Sequence, residues 1–210
     1  MKLVFMGTPA FAVPALEALC ASRHEVLAVI TAPDKPRGRG RKTFPSEVKQ
    51  KAVERDIPVL QPRKLKDPLF IAELKKYPAD IFVVVAFRIL PPEIYRLPPY
   101  GTINAHASLL PKYRGAAPIH WSIYHGEKES GVTVFRIERN IDTGKIIHQK
   151  RIPVHPDDTS GDLYEKLQEL AAQTLTEALD ILESGQTVLK PQDPALATPA
   201  PKIGSDDGRL

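Results

Sequence analysis

Residues Ile81 to Phe87 read Ile-Phe-Val-Val-Val-Ala-Phe, an unbroken apolar run with no polar face. Such a strand has to be covered on both sides, which is the position of a central strand in a sheet held between helices. The flanking sequence supplies the covers. Lys2–Met6 and Glu25–Thr31 read as further strands, and Pro9–Ala21 between them as a helix with proline near its first turn. Ser46 is placed to cap a helix running to about Arg55, ahead of a short strand at Ile57–Leu60, and Asp67-Pro68 starts a helix to about Tyr77. Beyond the central run come a strand at Gly101–Ala105, a helix over Pro118–His125 ended by Gly126, and strands at Gly131–Arg136 and Lys145–Pro153. Thr159 or Ser160 caps a long helix that turns Leu163, Leu167, Leu170, Ala178 and Leu182 inward and stops at Gly185. Strands separated by helices predict an α/β domain with a Rossmann-like, mostly parallel sheet flanked by helices.

That plan does not imply a nucleotide site. The chain contains neither GxGxxG nor GxxxxGK[ST], and Gly7-Thr8-Pro9 after the first strand suffices as a tight strand-to-helix turn. With 210 residues and 42% hydrophobic content, the chain can bury a full core, as one domain or one domain plus an extension. The expected division is a domain over 1–189 and a linker over 190–210, where Pro191, Pro194, Pro199 and Pro201 interrupt a stretch with little to bury. A single cysteine, Cys20, excludes an intramolecular disulfide and a multi-cysteine metal site, and its place in an apolar helical pattern marks it as a core thiol. Pro9, Pro14 and Glu17 break any signal-peptide pattern, and no segment nears the ~20 apolar residues of a membrane span. The expectation is a soluble cytoplasmic protein with no membrane partner, a monomer.

Charge is concentrated in one place. Lys35, Arg37, Arg39, Arg41 and Lys42, opposed within the loop by Asp34 alone, give it a charge of +4, equal to that of the whole chain. Gly38 and Gly40 alternate with the arginines, pairing backbone freedom with a dense set of phosphate-seeking guanidinium forks. A charge run of this kind is ordinarily a solvated surface loop.

The chemistry-bearing residues lie in Asn104-Ala105-His106-Ala107-Ser108-Leu109-Leu110-Pro111-Lys112-Tyr113-Arg114-Gly115-Ala116-Ala117-Pro118 and in Ile141-Asp142-Thr143-Gly144. Asn104 and His106 are two apart, so in an extended backbone they face one side, at a strand end where open α/β sheets place ligands. An amide can donate to a developing oxyanion and an imidazole can move a proton. An Asn-x-His pair in a strand also occurs as plain structure with satisfied side chains, and Asp-Thr-Gly as a plain turn. Lys112 and Arg114 are candidates for phosphate or carboxylate contacts. His24, His120, His125, His148 and His155 lack partners at telling spacings.

The run Ser108–Ile119, with Gly131-Val132-Thr133, Ile141–Gly144, Gly7-Thr8-Pro9, Pro33-Asp34-Lys35-Pro36 and Asp158-Thr159-Ser160-Gly161 in order, resembles the folate-dependent formyltransferases, specifically the branch that acts on methionyl-tRNA. The resemblance runs from about Lys2 to the end and implies the same Rossmann-like fold. It implies 10-formyltetrahydrofolate as co-substrate, the α-amino group of initiator methionyl-tRNA as acceptor, and catalysis by Asn104, His106 and Asp142 without a metal. For the folate it implies Phe87, Arg88, Ile89 and Leu90, then Ser108, Leu109 and Pro111, and the loop Arg139, Asn140 and Ile141. The family commonly has a Tyr-Gly-x-Ile-Leu-Pro-like run where this chain has Phe87-Arg88-Ile89-Leu90-Pro91, one residue shorter and without the glycine. It implies that Lys35, Arg37, Arg39, Arg41 and Lys42 meet the tRNA acceptor arm, and that 190–210 leads to a tRNA-holding β-barrel not contained in this sequence. Three other functions compete. A sugar-nucleotide N-formyltransferase or a formyl-folate hydrolase would keep the triad without needing the basic loop; an RNA-binding module would keep the loop and leave the triad idle.

Overall fold

The structure, a computed structural model, describes residues 1–37 and 42–204. In chain order the elements are β1 (Lys2–Gly7), a 3₁₀ turn (Ala10–Ala12) leading into α1 (Val13–Ala21), β2 (Glu25–Ile30), β3 (Lys35–Arg37), β4 (Lys42–Phe44), α2 (Glu47–Glu54), β5 (Val59–Leu60), α3 (Pro68–Leu74), β6 (Ile81–Val85), α4 (Pro92–Tyr95), β7 (Thr102–His106), β8 (Arg114–Gly115), α5 (Pro118–Tyr124), β9 (Glu129–Arg136), β10 (Ile146–Pro153), α6 (Ser160–Glu183) and β11 (Pro199–Ala200). Seven strands form one sheet in the order β10-β9-β7-β6-β1-β2-β5. The strands from β7 to β5 are mutually parallel, while β9 runs antiparallel to both β7 and β10. The sheet is thus mostly parallel, as the alternation of elements predicts.

The apolar run at 81–85 is the reason for two layers of helix. All five residues of β6 are buried, and their alternation sends Ile81, Val83 and Val85 to one face and Phe82 and Val84 to the other. On the first face they join Leu3, Phe5, Ile103 and Ala105 beneath α1 and α6; on the second they join Val4, Met6 and Ile30 beneath α3 and α4. Helix α6 lays Leu163, Leu167, Leu170, Ala178 and Leu182 into the first core, as its spacing predicts. Its start is fixed by a capping box in which Thr159 Oγ1 accepts from the Asp162 N–H and the Asp162 carboxylate accepts from the Thr159 N–H. Ser46 caps α2 by accepting from the Lys49 N–H.

Several boundaries differ from the sequence reading. Helix α3 ends at Leu74 rather than Tyr77, because Tyr77 precedes Pro78 and is steered away from helical geometry. The segment 57–60 contributes only Val59 and Leu60 to the sheet. Helix α4 is a single turn without a periodic signature. The root of the basic loop is an antiparallel hairpin pairing Lys35 with Phe44 and Arg37 with Lys42. Lys35 is exposed; Arg39 and Arg41, and the side chains of Arg37 and Lys42, lie outside the described part.

Residues 190–204, the described part of the expected linker over 190–210, pack on the domain. Lys190 bridges to Ile146, Pro199–Ala200 pairs in parallel with Arg114–Gly115, and Ala200 is fully buried. The Trp121 indole N–H donates to the Pro201 carbonyl at 2.8 Å. Prolines remove donors but leave every carbonyl, and this segment uses its carbonyls and short side chains to dock.

Candidate active site

Parallel strands deliver their C-terminal ends to one edge, and there β7 presents Asn104 and His106. Their neighbours Ile103 and Ala105 point into the core, so the pair shares the opposite face, as period-two alternation requires. Both line a cavity of about 560 Å³, together with Asp142 from the long β9–β10 connection. The volume is that of a small-molecule site.

The imidazole is fixed on one side by backbone. His106 Nε2 lies 2.8 Å from the Tyr113 carbonyl oxygen, which can only accept, so Nε2 carries a proton. Nδ1 is therefore the nitrogen left for chemistry, and it faces Asp142 Oδ2 at 3.8 Å, within ion-pair range and beyond a direct hydrogen bond. Asp142 accepts from the Gly115 N–H at 2.9 Å through the same oxygen. The Tyr113 carbonyl thus orients the His106 ring directly. The Asn104 side chain makes no hydrogen bond among the described residues and is half-buried at the cavity wall, a donor with its capacity free.

Three non-glycine residues around this cavity, Ala86 (φ 48°), Tyr113 (φ 61°) and Asp142 (φ 53°), sit in the left-handed region. Strain of this kind concentrates at functional sites and persists where surrounding contacts over-determine it. Ala86 makes the turn out of β6 into the loop that reads one residue short of the family pattern.

Of the expected folate residues, Phe87, Arg88, Ile89, Leu90, Arg139, Asn140 and Ile141 line the cavity. Ile89 and Ile141 are 76% and 56% exposed, an apolar rim with no cover of its own. Arg88 stacks over Phe87 and donates to the Pro62 and Arg63 carbonyls at 2.9 and 3.2 Å, so its charge ties down the loop. Ser108, Leu109 and Pro111 do not line the cavity. The chain turns away after His106, with Ser108 fully buried and donating to the Lys112 carbonyl, while Thr133 Oγ1 donates to the Ser108 carbonyl and accepts from the Leu110 N–H. These residues pin the His106 turn onto β9.

Lys112 and Arg114 are likewise engaged within the fold. Lys112 Nζ donates to Glu127 at 2.9 Å, and Arg114 donates to Gln192. Tyr113 Oη also donates to Glu127, at 2.7 Å; these two bonds hold the Glu127 carboxyl below its usual range, while burial first and Glu127 second push the Tyr113 phenol up. A carboxyl depressed in the folded state stabilises it above the unfolded value of about 4.3 and loses that contribution as pH falls through the folded value. Glu127→Gln is therefore expected to flatten the fall of the melting temperature between about pH 5 and pH 3. Thermal scans at stepped pH check this; parallel curves for both proteins would remove Glu127 from the acid limb.

At the root of the basic loop, Asp34 accepts from Lys49 Nζ and Gln61 Nε2 at 2.6 and 2.7 Å, which holds its carboxyl below the usual carboxylate range. The loop's single acid is thus already neutralised by a lysine outside it. Cys20 is half-buried against the first core, and burial raises its thiol. Among the described residues His24, Asp180 and Glu183 stand close enough to share a cation, but Arg23 already bridges both carboxylates at 2.7 and 2.9 Å, and none of the three lines the cavity.

An open α/β sheet with an amide, an imidazole and a carboxylate lining an apolar cavity at its strand ends is the layout of a small-molecule site of the open α/β class. Within that class the chain belongs to the formyl transferase family, whose profile, described as Formyl transferase, matches residues 1–179. It is 48% identical over 214 residues to a methionyl-tRNA formyltransferase of Porphyromonas gingivalis, covering 100% of this chain and 66% of that protein. A methionyl-tRNA formyltransferase of Pelotomaculum thermopropionicum is 49% identical over 208 residues, covering 99% of this chain and again 66% of the relative. The chain thus spans just under two thirds of these relatives' length. Among solved structures it resembles glycinamide ribonucleotide transformylase 1 from Symbiobacterium toebii (TM-score 0.76, 20% identity, 92% of this chain and 94% of that one). It also resembles an N-formyltransferase from Helicobacter canadensis in complex with folinic acid and dTDP-3-aminofucose (TM-score 0.73, 25% identity, 100% and 72%).

The residues that sequence reasoning missed act mainly through backbone or across long chain separations. The Tyr113 carbonyl and Gly115 N–H carry no side-chain signal. Gln192 lies 50 residues from the carbonyl of Asp142 to which it donates.

Proposed function

We propose that this chain transfers the formyl group of 10-formyltetrahydrofolate to the α-amino group of methionine on initiator tRNA. The observation that carries the reading is the Asn104 amide, without a hydrogen-bond partner among the described residues, beside the His106–Asp142 pair in a cavity with an exposed apolar rim. The choice of acceptor is supported by the named relatives at 48% and 49% identity, and that of donor by the folinic acid in a structural neighbour.

The pterin fills the cavity between the 87–90 and 139–141 loops, which brings the formyl carbon to Asn104 and His106. Attack by the neutral methionyl amine places negative charge on the formyl oxygen. The Asn104 amide donates to that oxygen in a site shielded from water, where such a bond counts most. His106 has Nε2 committed to Tyr113, so Nδ1 exchanges the proton, stabilising the oxyanion and then protonating the departing folate nitrogen. The 3.8 Å gap to Asp142 leaves that proton free for substrate, while the carboxylate, directly or through water, takes up the proton the amine sheds. No step requires a metal. Lys35, Arg37, Arg39, Arg41 and Lys42 grip the phosphates of the acceptor arm, the protein acting as a cytoplasmic monomer.

The test is transfer of label from 10-formyltetrahydrofolate to methionyl-initiator tRNA, followed across a series of salt concentrations. Labelled formyl-methionyl-tRNA, with apparent tRNA affinity falling linearly in log salt, is the expected result. Label released only as formate would make the chain a hydrolase. Transfer to an amino-sugar nucleotide and none to tRNA would replace the acceptor.

A further inference from the structure

We propose that Gln192 is a positioning residue for Asp142, and that 190–201 is therefore part of the catalytic unit. This rests on the role given to Asp142 above. The Gln192 side chain is saturated: Nε2 donates to the carbonyls of Asp142 and Gly144 at 2.9 and 2.8 Å, and Oε1 accepts from Arg114 Nε and Nη2 at 3.1 and 2.6 Å. An amide has two donor hydrogens and two acceptor lone pairs, and all four are used, so only one orientation of the group fits. It thereby clamps the Asp142 loop to β8.

The clamp acts where the backbone least favours its own conformation. Asp142 holds φ at 53°, in the left-handed region that L-residues rarely adopt. In that conformation the carboxylate reaches the Gly115 N–H and faces His106. Gly115, the other anchor, is itself set by the same segment: the Arg114 N–H donates to the Thr198 carbonyl at 2.9 Å and the Ala117 N–H to the Ala200 carbonyl at 3.1 Å. A Cβ on Gly115 would stand 2.5 Å from the Ala200 carbonyl oxygen, so the close approach requires glycine. The other partner of the pair hangs from the segment too. Thr198 Oγ1 accepts from the Tyr113 N–H at 2.9 Å, and the Tyr113 carbonyl fixes His106. Both members of the His106–Asp142 pair are thus held through residues 192–200.

Gln192→Leu removes both halves of the clamp. Gln192→Glu keeps an acceptor for Arg114 but sets a carboxylate against two carbonyls, separating the Asp142 half from the rest. The first readout needs no turnover: exchange of the Gly115 amide proton, measured by NMR in the full chain. It is expected to quicken about tenfold in both variants and in Asp142→Ala, as the bond to Asp142 is lost. The second is a double-mutant cycle with Asp142→Asn in the formyl-transfer assay. Gln192→Leu is expected to lower kcat about tenfold alone and to add nothing on top of Asp142→Asn, because a residue acting through another is non-additive with it. An unchanged Gly115 amide, or an equal factor in both backgrounds, overturns the proposal. Should Asp142→Asn leave turnover intact, the role given to Asp142 fails instead, and the Gly115 amide still decides whether Gln192 holds its carboxylate. Thermal scans that match wild type exclude global unfolding as the cause.

Discussion

Asn104→Ala is expected to slow formyl transfer about 10²- to 10³-fold, the usual loss when one oxyanion donor is removed. The melting temperature is expected to stay within about 2 °C, since the truncation breaks none of the contacts that stabilise the fold. The Asn104 side chain has no hydrogen-bond partner among the described residues, and the core beneath β7 is made by Ile103 and Ala105. Its amide therefore contributes little to the folded state and becomes useful only when negative charge develops in the cavity. The loss should fall on kcat, with the folate KM nearly unchanged, because the donor serves the intermediate more than the ground state. Asn104→Asp sharpens the case: it keeps the shape, removes the donor and adds a charge that repels the oxyanion, so it should be at least as slow as alanine. Single-turnover transfer beside a thermal scan measures both quantities. A loss under about tenfold would take Asn104 out of the oxyanion role.

What could be read from sequence follows from what leaves a periodic or local trace. The apolar run at 81–85 forces a strand covered on both faces, and the alternation of Leu3 and Phe5 against Val4 and Met6 sorts the two cores. Ser46 and Thr159 act within three residues of themselves, so their caps are legible. The shared face of Asn104 and His106 is a consequence of strand geometry, and the appearance of Asp142 beside them follows from the family resemblance.

The rest depends on registers that no local pattern sets. Ser108, Leu109 and Pro111 sit within the motif yet serve the turn under His106, because Thr133, 25 residues from Ser108, draws that turn onto β9. Lys112 and Arg114 look like free cations until Glu127 and Gln192 arrive from distant segments. The proline-rich 190–201 looks like a linker because composition reports lost donors and says nothing of carbonyls. Its role depends on the pairing of Ala200 with Gly115, a contact between segments 85 residues apart. The site thus divides into side chains that sequence reveals and a backbone frame that only the fold assembles.

That frame makes Gly144→Ala a severely disruptive substitution. A Cβ on Gly144 would lie 1.7 Å from the Arg136 carbonyl oxygen and 2.9 Å from its carbon, both backbone atoms at the end of β9. No side chain is available to swing aside. Relief requires moving a strand that is pinned by the bond from the Arg136 N–H to the Lys145 carbonyl at 3.0 Å and by the pairing of Ile146 with Phe135. The expected cost is about 3 kcal/mol or more, the range of severe overpacking against atoms that cannot yield. Gly185→Ala is the control: at φ 70° it meets nothing within 4 Å, so it carries only the left-handed penalty of about 1–2 kcal/mol. Urea unfolding of both variants gives the comparison, and equal costs would mean that the β9–β10 turn opens easily. Activity should fall with stability in Gly144→Ala and not in Gly185→Ala. Gly144 also supplies one of the two carbonyls that receive the Gln192 amide, so displacing it releases the Asp142 loop from its clamp even in molecules that remain folded.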